Sequence, residues 1–258
     1  MQVSATAVPV VDLAVAAAVA LCAGALNSIA GGGSLILFPT LVGLGLPTVT
    51  ANVTNSVAQW PGYAGGVVGF RGSFTGQRRR LVSLAMVALW GGTMGAGLLL
   101  TTPSTAFDLV VPVLVLLASL LLAAQPWLAR HLTSSRAAPG RRDPRWLYVT
   151  VFAGTVYGGY FGGALGVILL GVLGLGLGDI KVANALKTVL SLVTATVTAL
   201  VFGLFGPVSW PFIAVCAPSG LVGGFLGAKV ATRLPATPLR WFIASFGVVA
   251  AAYLAVLG

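Results

Sequence analysis

Apolar stretches at about 10–30, 34–46, 49–70, 81–100, 108–129, 146–161, 164–178, 182–205, 210–230 and 241–257 occupy most of the chain. Six of them (49–70, 81–100, 108–129, 182–205, 210–230 and 241–257) are about 17–24 residues long. At 1.5 Å per residue each can cross a hydrocarbon core ~30 Å thick. A water-soluble fold could bury such stretches only beneath a charged surface. Only 7% of the residues are charged, where a soluble domain carries roughly 25%. Lipid must therefore be the solvent, and the chain is expected to be an all-α polytopic membrane protein.

Two pairs of stretches break this pattern. Between 10–30 and 34–46 stands Gly31-Gly32-Gly33, and between 146–161 and 164–178 stands Gly162-Gly163. Read as one helix, Asp12 to Pro47 would be ~50 Å long, far more than a single crossing needs. Folded back at the glycines, the pair fits. Non-helical backbone survives at membrane depth only where protein covers it or a cavity receives it. The two pairs also resemble each other. Shifted by about 131 positions, Gly31-Gly32 falls on Gly162-Gly163 and Gly43-x-Gly45 on Gly174-x-Gly176. With one residue inserted, Ala51-Asn52 falls on Ala183-Asn184 and Asn55-Ser56 on Lys187-Thr188. The shared order points to internal duplication.

Charge then suggests a topology. The net charge of +10 would imply nucleic acid on a soluble protein. Here the basic residues gather in short gaps between apolar stretches, the mark of a cytoplasmic face. If each broken pair is a hairpin, each half is a hairpin plus three crossings. That number is odd, so the halves are inverted. Loops 71–80, 130–145 and 229–240, with Lys181, then share one face and contain every Lys and Arg except Lys187. Asp12 and Asp108 fall on the other face. A layout in which each broken pair crosses once splits the basic residues across the membrane, so the hairpin layout is preferred. It gives a first membrane repeat over 1–130, a basic cytoplasmic linker over 131–145 and a second repeat over 146–258, with both termini outside. Inverted repeats with broken helices are a transporter architecture. The N-terminus lacks a basic leader region, so Ala23-Gly24-Ala25 is taken as mature protein and not as a cleavage site.

Several functions are excluded by inventory. There is no Glu, His131 is the sole histidine, and Cys22 and Cys216 lie inside apolar segments. A structural metal site, a haem clamp and a disulfide framework are not expected. No nucleophile–base pair, Walker loop or dinucleotide fingerprint stands in a usable context. The expectation is a non-enzyme with no cofactor, metal or nucleic-acid partner. Lipid is an expected partner, and a second copy of the chain a candidate one.

The stretch Ala25-Leu-Asn27-Ser-Ile-Ala-Gly31-Gly32-Gly33-Ser34, with Pro39 and Ala51-Asn52-Val-Thr-Asn55-Ser56, resembles the TauE/SafE family of sulfite-exporter-like permeases. Tyr157-Gly-Gly-Tyr-Phe-Gly162-Gly163 and Ala183-Asn184-Ala-Leu-Lys187-Thr188 echo it in the second half. The resemblance covers nearly the whole chain. It implies a multi-pass permease of a bacterial or archaeal inner membrane, carrying sulfite, thiosulfate or a small organosulfur anion.

The residues offer their own chemistry. A helix restarting after Gly31-Gly32-Gly33 or Gly162-Gly163 presents unpaired N–H groups and a positive dipole end, which suits an oxyanion. The alternative is that these glycines only allow tight helix crossing, as expected for Gly62/Gly66, Gly91/Gly95 and Gly223/Gly227. Ser34 could cap the restarting helix or offer its hydroxyl to a ligand. Asn52, Asn55 and Gln59 share one helical face, and Asn27 precedes the first break. They could bind ligand or join helices. Lys187 is the one basic residue well inside a predicted span. It is either a substrate counter-charge or a lysine that snorkels to the interface. A secondary permease leads. An anion channel and a non-transporting membrane subunit stay open; saturable flux with counterflow would exclude the channel, and flux from purified protein the subunit.

Overall fold

A computed structural model describes residues 8–29, 31–69, 78–132, 144–177, 180–230 and 236–257. The described residues form ten α-helices: α1 (Val10–Ile29), α2 (Ser34–Gly43), α3 (Thr48–Gly69), α4 (Arg78–Thr101), α5 (Ser104–Leu132), α6 (Arg145–Tyr160), α7 (Leu165–Leu177), α8 (Ile180–Phe205), α9 (Trp210–Val230) and α10 (Ala236–Leu257). No strand occurs among them. Six helices are long and apolar enough to span a membrane: α1, α4, α5, α8, α9 and α10. The chain is an all-helical, multi-pass membrane protein.

This set differs from the expected six by one exchange. α1 joins it at 20 residues, and α3 drops out although it has 22. The reason is the polar row on α3, where Asn52, Thr54, Asn55 and Gln59 are all buried. A helix shielded by protein can carry polar side chains that lipid would not tolerate. α2 and α7 have 10 and 13 residues, so at ~15 and ~20 Å neither can cross alone. Both are short arms that return from a break.

The pairing of helices repeats between the two halves. α1 lies on α9 as α6 lies on α4, and α3 lies on α9 as α8 lies on α4. α3 with α8, and α5 with α10, pair across the middle. Each half therefore rests mainly on the other. Glycine spacing explains how closely. A Cβ at Gly91 or Gly95 of α4 would run into Thr155 or the Val156 carbonyl of α6. A Cβ at Gly223 or Gly227 of α9 would run into the Leu21 carbonyl or Ala25 of α1. These two pairs lie 132 positions apart. Gly62 of α3 likewise abuts the Gly220 carbonyl, 3.1 Å from where its Cβ would sit. Small residues let helix backbones approach where lipid offers no competing hydrophobic drive. Gly66 has no described side-chain environment.

One consequence can be measured. Gly223→Ala places a methyl against the Leu21 backbone carbonyl, which cannot turn aside as a side chain could. Overpacking of this kind costs about 1–3 kcal/mol, so the purified variant should melt several degrees lower. Gly97→Ala on α4 meets nothing within 4 Å and should melt no lower than wild type. Equal melting points for Gly223→Ala and wild type would show that the α1–α9 contact is looser than described.

Loops 71–77, 133–143 and 231–235 lie outside the described residues. So do the side chains of Lys181 and His131, and with them most of the basic faces on which the topology rests.

Candidate functional site

The two glycine breaks meet at the centre of the molecule. Both open on a glycine in the left-handed region, Gly31 at φ 86° and Gly162 at φ 79°, which a side chain would strain. The equivalence does not extend along the whole pair. Gly45 turns at φ 92° after α2, while Gly176 lies inside α7. A Cβ on Gly31 would sit 3.6 Å from the Gly166 backbone, at the first turn of α7. A Cβ on Gly162 would sit 3.7 Å from Ser56 Oγ and 3.9 Å from Ser34 Oγ, at the first turn of α2. Each break thus faces the restarting helix of the other half.

The remaining glycines of the motifs point elsewhere. Gly32 faces Leu122 of α5 and Ile243 of α10, Gly33 is pressed on Ala23 and Asn27, and Gly163 faces Phe161 and Ala118. Phe161 in turn stands edge-on to Phe38 of α2, with ring centroids 5.4 Å apart. This side of each break is apolar core.

The amides of the first half bind one another. Asn27 accepts the Gly33 N–H on Oδ1 at 2.8 Å and donates its Nδ2 to Gln59 Oε1. Gln59 Nε2 donates to Ser34 Oγ at 2.9 Å and also to Asn55 Oδ1. Ser34 is the first residue of α2 and does not cap it; Gly33 occupies the cap position with no side-chain cap. Asn52 Nδ2 donates to the Tyr160 carbonyl at 2.9 Å, at the end of α6, where helical carbonyls have no partner of their own. The joining role is therefore realised for Asn27, Asn52 and Gln59. Among the described residues three amide atoms are buried without partners: Asn52 Oδ1 and Asn55 Nδ2 on α3, and Gln125 Oε1 on α5. Asn184 is half-buried and lines neither central cavity.

Two small cavities flank the crossing, each of about 20 Å³. That is room for roughly one water apiece. The first is lined by Ser34, Ser56 and Gln59 from one half and by Gly162, Leu165 and Thr194 from the other. The second is lined by Asn27, Ser28 and Gly31, and by Gly166, Lys187 and Thr188. Tyr63 of α3 and Ser191 of α8 border both. Lys187 is 7% exposed, buried among α1, α3 and α7. Among the described residues it has no hydrogen-bonding or ion-pairing partner. Arg240 of α10 is near enough for its charge to repel that of Lys187, and its Nε is buried without a partner. A larger cavity of about 350 Å³ lies apart, between the α2–α3 turn, the start of α5 and Leu254. Its Asp108, which accepts from Thr48, and its apolar lining suit an anion poorly.

Sequence reasoning singled out Lys187 but missed Ser191, Thr194 and Thr198. Together they stand at i, i+4, i+7 and i+11 on α8, the spacing of one helical face, and that polar stripe was readable. Tyr63 gave no such signal, since only the meeting of α3 with α8 makes it a border.

The comparisons with known proteins agree with this architecture. The sequence profile described as Sulfite exporter TauE/SafE matches residues 16–254. The probable membrane transporter protein YfcA of Escherichia coli strain K12 is 29% identical over 232 residues, covering 84% of this chain and 78% of that protein. The probable membrane transporter protein ORF9 of a Sinorhizobium species is 27% identical over 218 residues, covering 83% of this chain and 79% of its own length.

Proposed function

This chain belongs to the sulfite exporter TauE/SafE family, and from that premise we propose that it is a secondary permease for sulfite or a related small sulfur-containing anion. The observation that carries the reading is the meeting of two glycine breaks around buried Lys187 and Ser191. An oxyanion needs N–H donors, hydroxyls and a positive charge, and the centre offers all three without a carboxylate among the lining residues. Helix N-termini aimed at an anion near the midplane are a transporter device. The cavities are too small for a continuous pore, which favours occlusion and alternating access over a channel.

The repeated helix pairing supports an inverted-repeat reading, with repeats over 1–130 and 146–258 and the site at their junction. The orientation follows from charge: basic loops in the cytoplasm, both termini and the 206–209 turn outside an inner membrane. In a variant lacking Cys22 and Cys216, a cysteine at position 75 should resist a membrane-impermeant thiol reagent in intact cells. One at 207 should react. Labelling of position 75 from outside would end the hairpin topology.

The function itself is tested by flux into liposomes containing the purified chain, over sulfite, thiosulfate, sulfate, taurine, sulfoacetate and an unrelated carboxylate. Saturable, counterflow-competent flux of a sulfur oxyanion is expected. Flux of the carboxylate alone, or of none, would refute the proposal.

A further inference from the structure

The two breaks both open on a left-handed glycine but differ in how their polar groups are used. We infer that the anion has a single seat, built by the second break, and that the first break is its fixed scaffold. This rests on the permease reading above. At the first break four backbone donors are engaged, Gly33 N–H by Asn27 and Leu35, Ile36 and Leu37 N–H by the Gly32 and Gly33 carbonyls, and among them Leu35 N–H is the counterpart of Gly166 N–H. Ser34, Gln59 and Asn55 Oδ1 hold one another; Asn55 Nδ2 is buried without a partner, but Asn55 lines neither cavity.

At the second break the corresponding positions are stripped of amides. Asn27 and Ser34 correspond to Gly158 and Leu165, and Asn55 and Gln59 to Lys187 and Ser191. Nothing there can take the part of Asn27. The backbone N–H groups of Leu165 and Gly166, which follow the turn at Gly163 and Ala164, make no close, well-aligned hydrogen bond among the described residues, and the first donors of α7 that do are Val167 and Ile168, both to the Ala164 carbonyl. Ala164 holds φ 55°, a left-handed conformation that alanine seldom adopts; its counterpart Gly33 is right-handed at φ −60°.

A helix start alone would not define a site, but Ser191 is independent of it. Its side chain is 2% exposed, its Oγ has no hydrogen-bond partner, and it borders both cavities. A buried hydroxyl left unpaired costs stability, and a bound oxyanion would satisfy it. Leu165 lines the first cavity, Gly166 and Lys187 the second. Two residues at the start of α7, one hydroxyl and one ammonium thus border the two cavities, and Ser191, which lines both, joins them into the seat of a single oxyanion.

Calorimetric titration of the purified full-length chain with sulfite, and separately with thiosulfate, tests this. One anion per chain is expected for wild type. Ser191→Ala should raise the dissociation constant about 10-fold, the loss of one hydrogen bond to a charged group. Without ligand it should melt no lower than wild type, because the hydroxyl it removes has no protein partner. Two anions per chain, or Ser191→Ala binding within twofold of wild type, would overturn the single seat and leave the permease standing. If wild type binds no sulfur oxyanion and transports none, both readings fall together.

Discussion

Lys187→Met is expected to weaken binding of a sulfur oxyanion roughly 10- to 150-fold. A hydrogen bond to a charged group contributes ~1.5–3 kcal/mol. Lys187 is buried beside Gly31 and Gly166 and shares a cavity with Ser191. In such a place its ammonium is partly dehydrated, and its attraction for an anion is weakly screened. Arg240 remains close by, so affinity should drop without vanishing. Lys187→Arg keeps the charge but brings a planar fork where a compact ammonium stood, into a cavity of about 20 Å³; partial recovery is expected. Had the lysine merely snorkelled toward the interface, Lys187→Met would leave binding unchanged. The measurement is the dissociation constant of both variants and wild type at matched pH and salt. Constants equal within about twofold would remove Lys187 from the seat.

Gly162→Val should abolish transport while the protein still inserts. Two effects combine. The backbone at φ 79° penalises a β-branched residue by about 1–2 kcal/mol. The new side chain also projects toward Ser34 Oγ and Ser56 Oγ, 3.9 and 3.7 Å from its Cβ, and fills the first cavity. Gly162→Ala carries the backbone strain but adds only a methyl at ordinary contact distance and leaves the first cavity open, so it should keep a measurable fraction of the flux. Flux in liposomes, set beside the amount of folded protein recovered from the membrane, decides the matter. Normal transport by Gly162→Val would mean that substrate does not pass this break.

The contrast among the glycines shows where sequence reasoning runs out. Gly31, Gly32 and Gly33 stand side by side in the sequence and invite one role. In the fold Gly31 faces the opposite break, Gly32 the apolar face of α5 and α10, and Gly33 the backbone of α1. At a sharp turn, successive residues point in different directions, and only the packed neighbours say which direction meets the cavity. Asn27, Asn52 and Gln59 are similar. Their face on the helix was readable, but a side-chain amide can bind ligand or another amide equally well. Partners 25 and 32 residues away for Gln59, and 108 away for Asn52, settled their hydrogen bonds.

Composition and spacing by themselves determined that the chain is helical and lies in a membrane, because too few charges exist to coat a soluble surface and the apolar runs match a bilayer. They also determined where the helices break, since glycine and length leave no other solution. Only the tertiary structure decided that the breaks face each other, that α3 is a sheltered helix, and that Lys187 and Ser191 turn toward one centre. Those outcomes depend on contacts between residues more than 100 positions apart. A local pattern records which face of a helix is polar, and the neighbour that face meets is set by how the helices assemble.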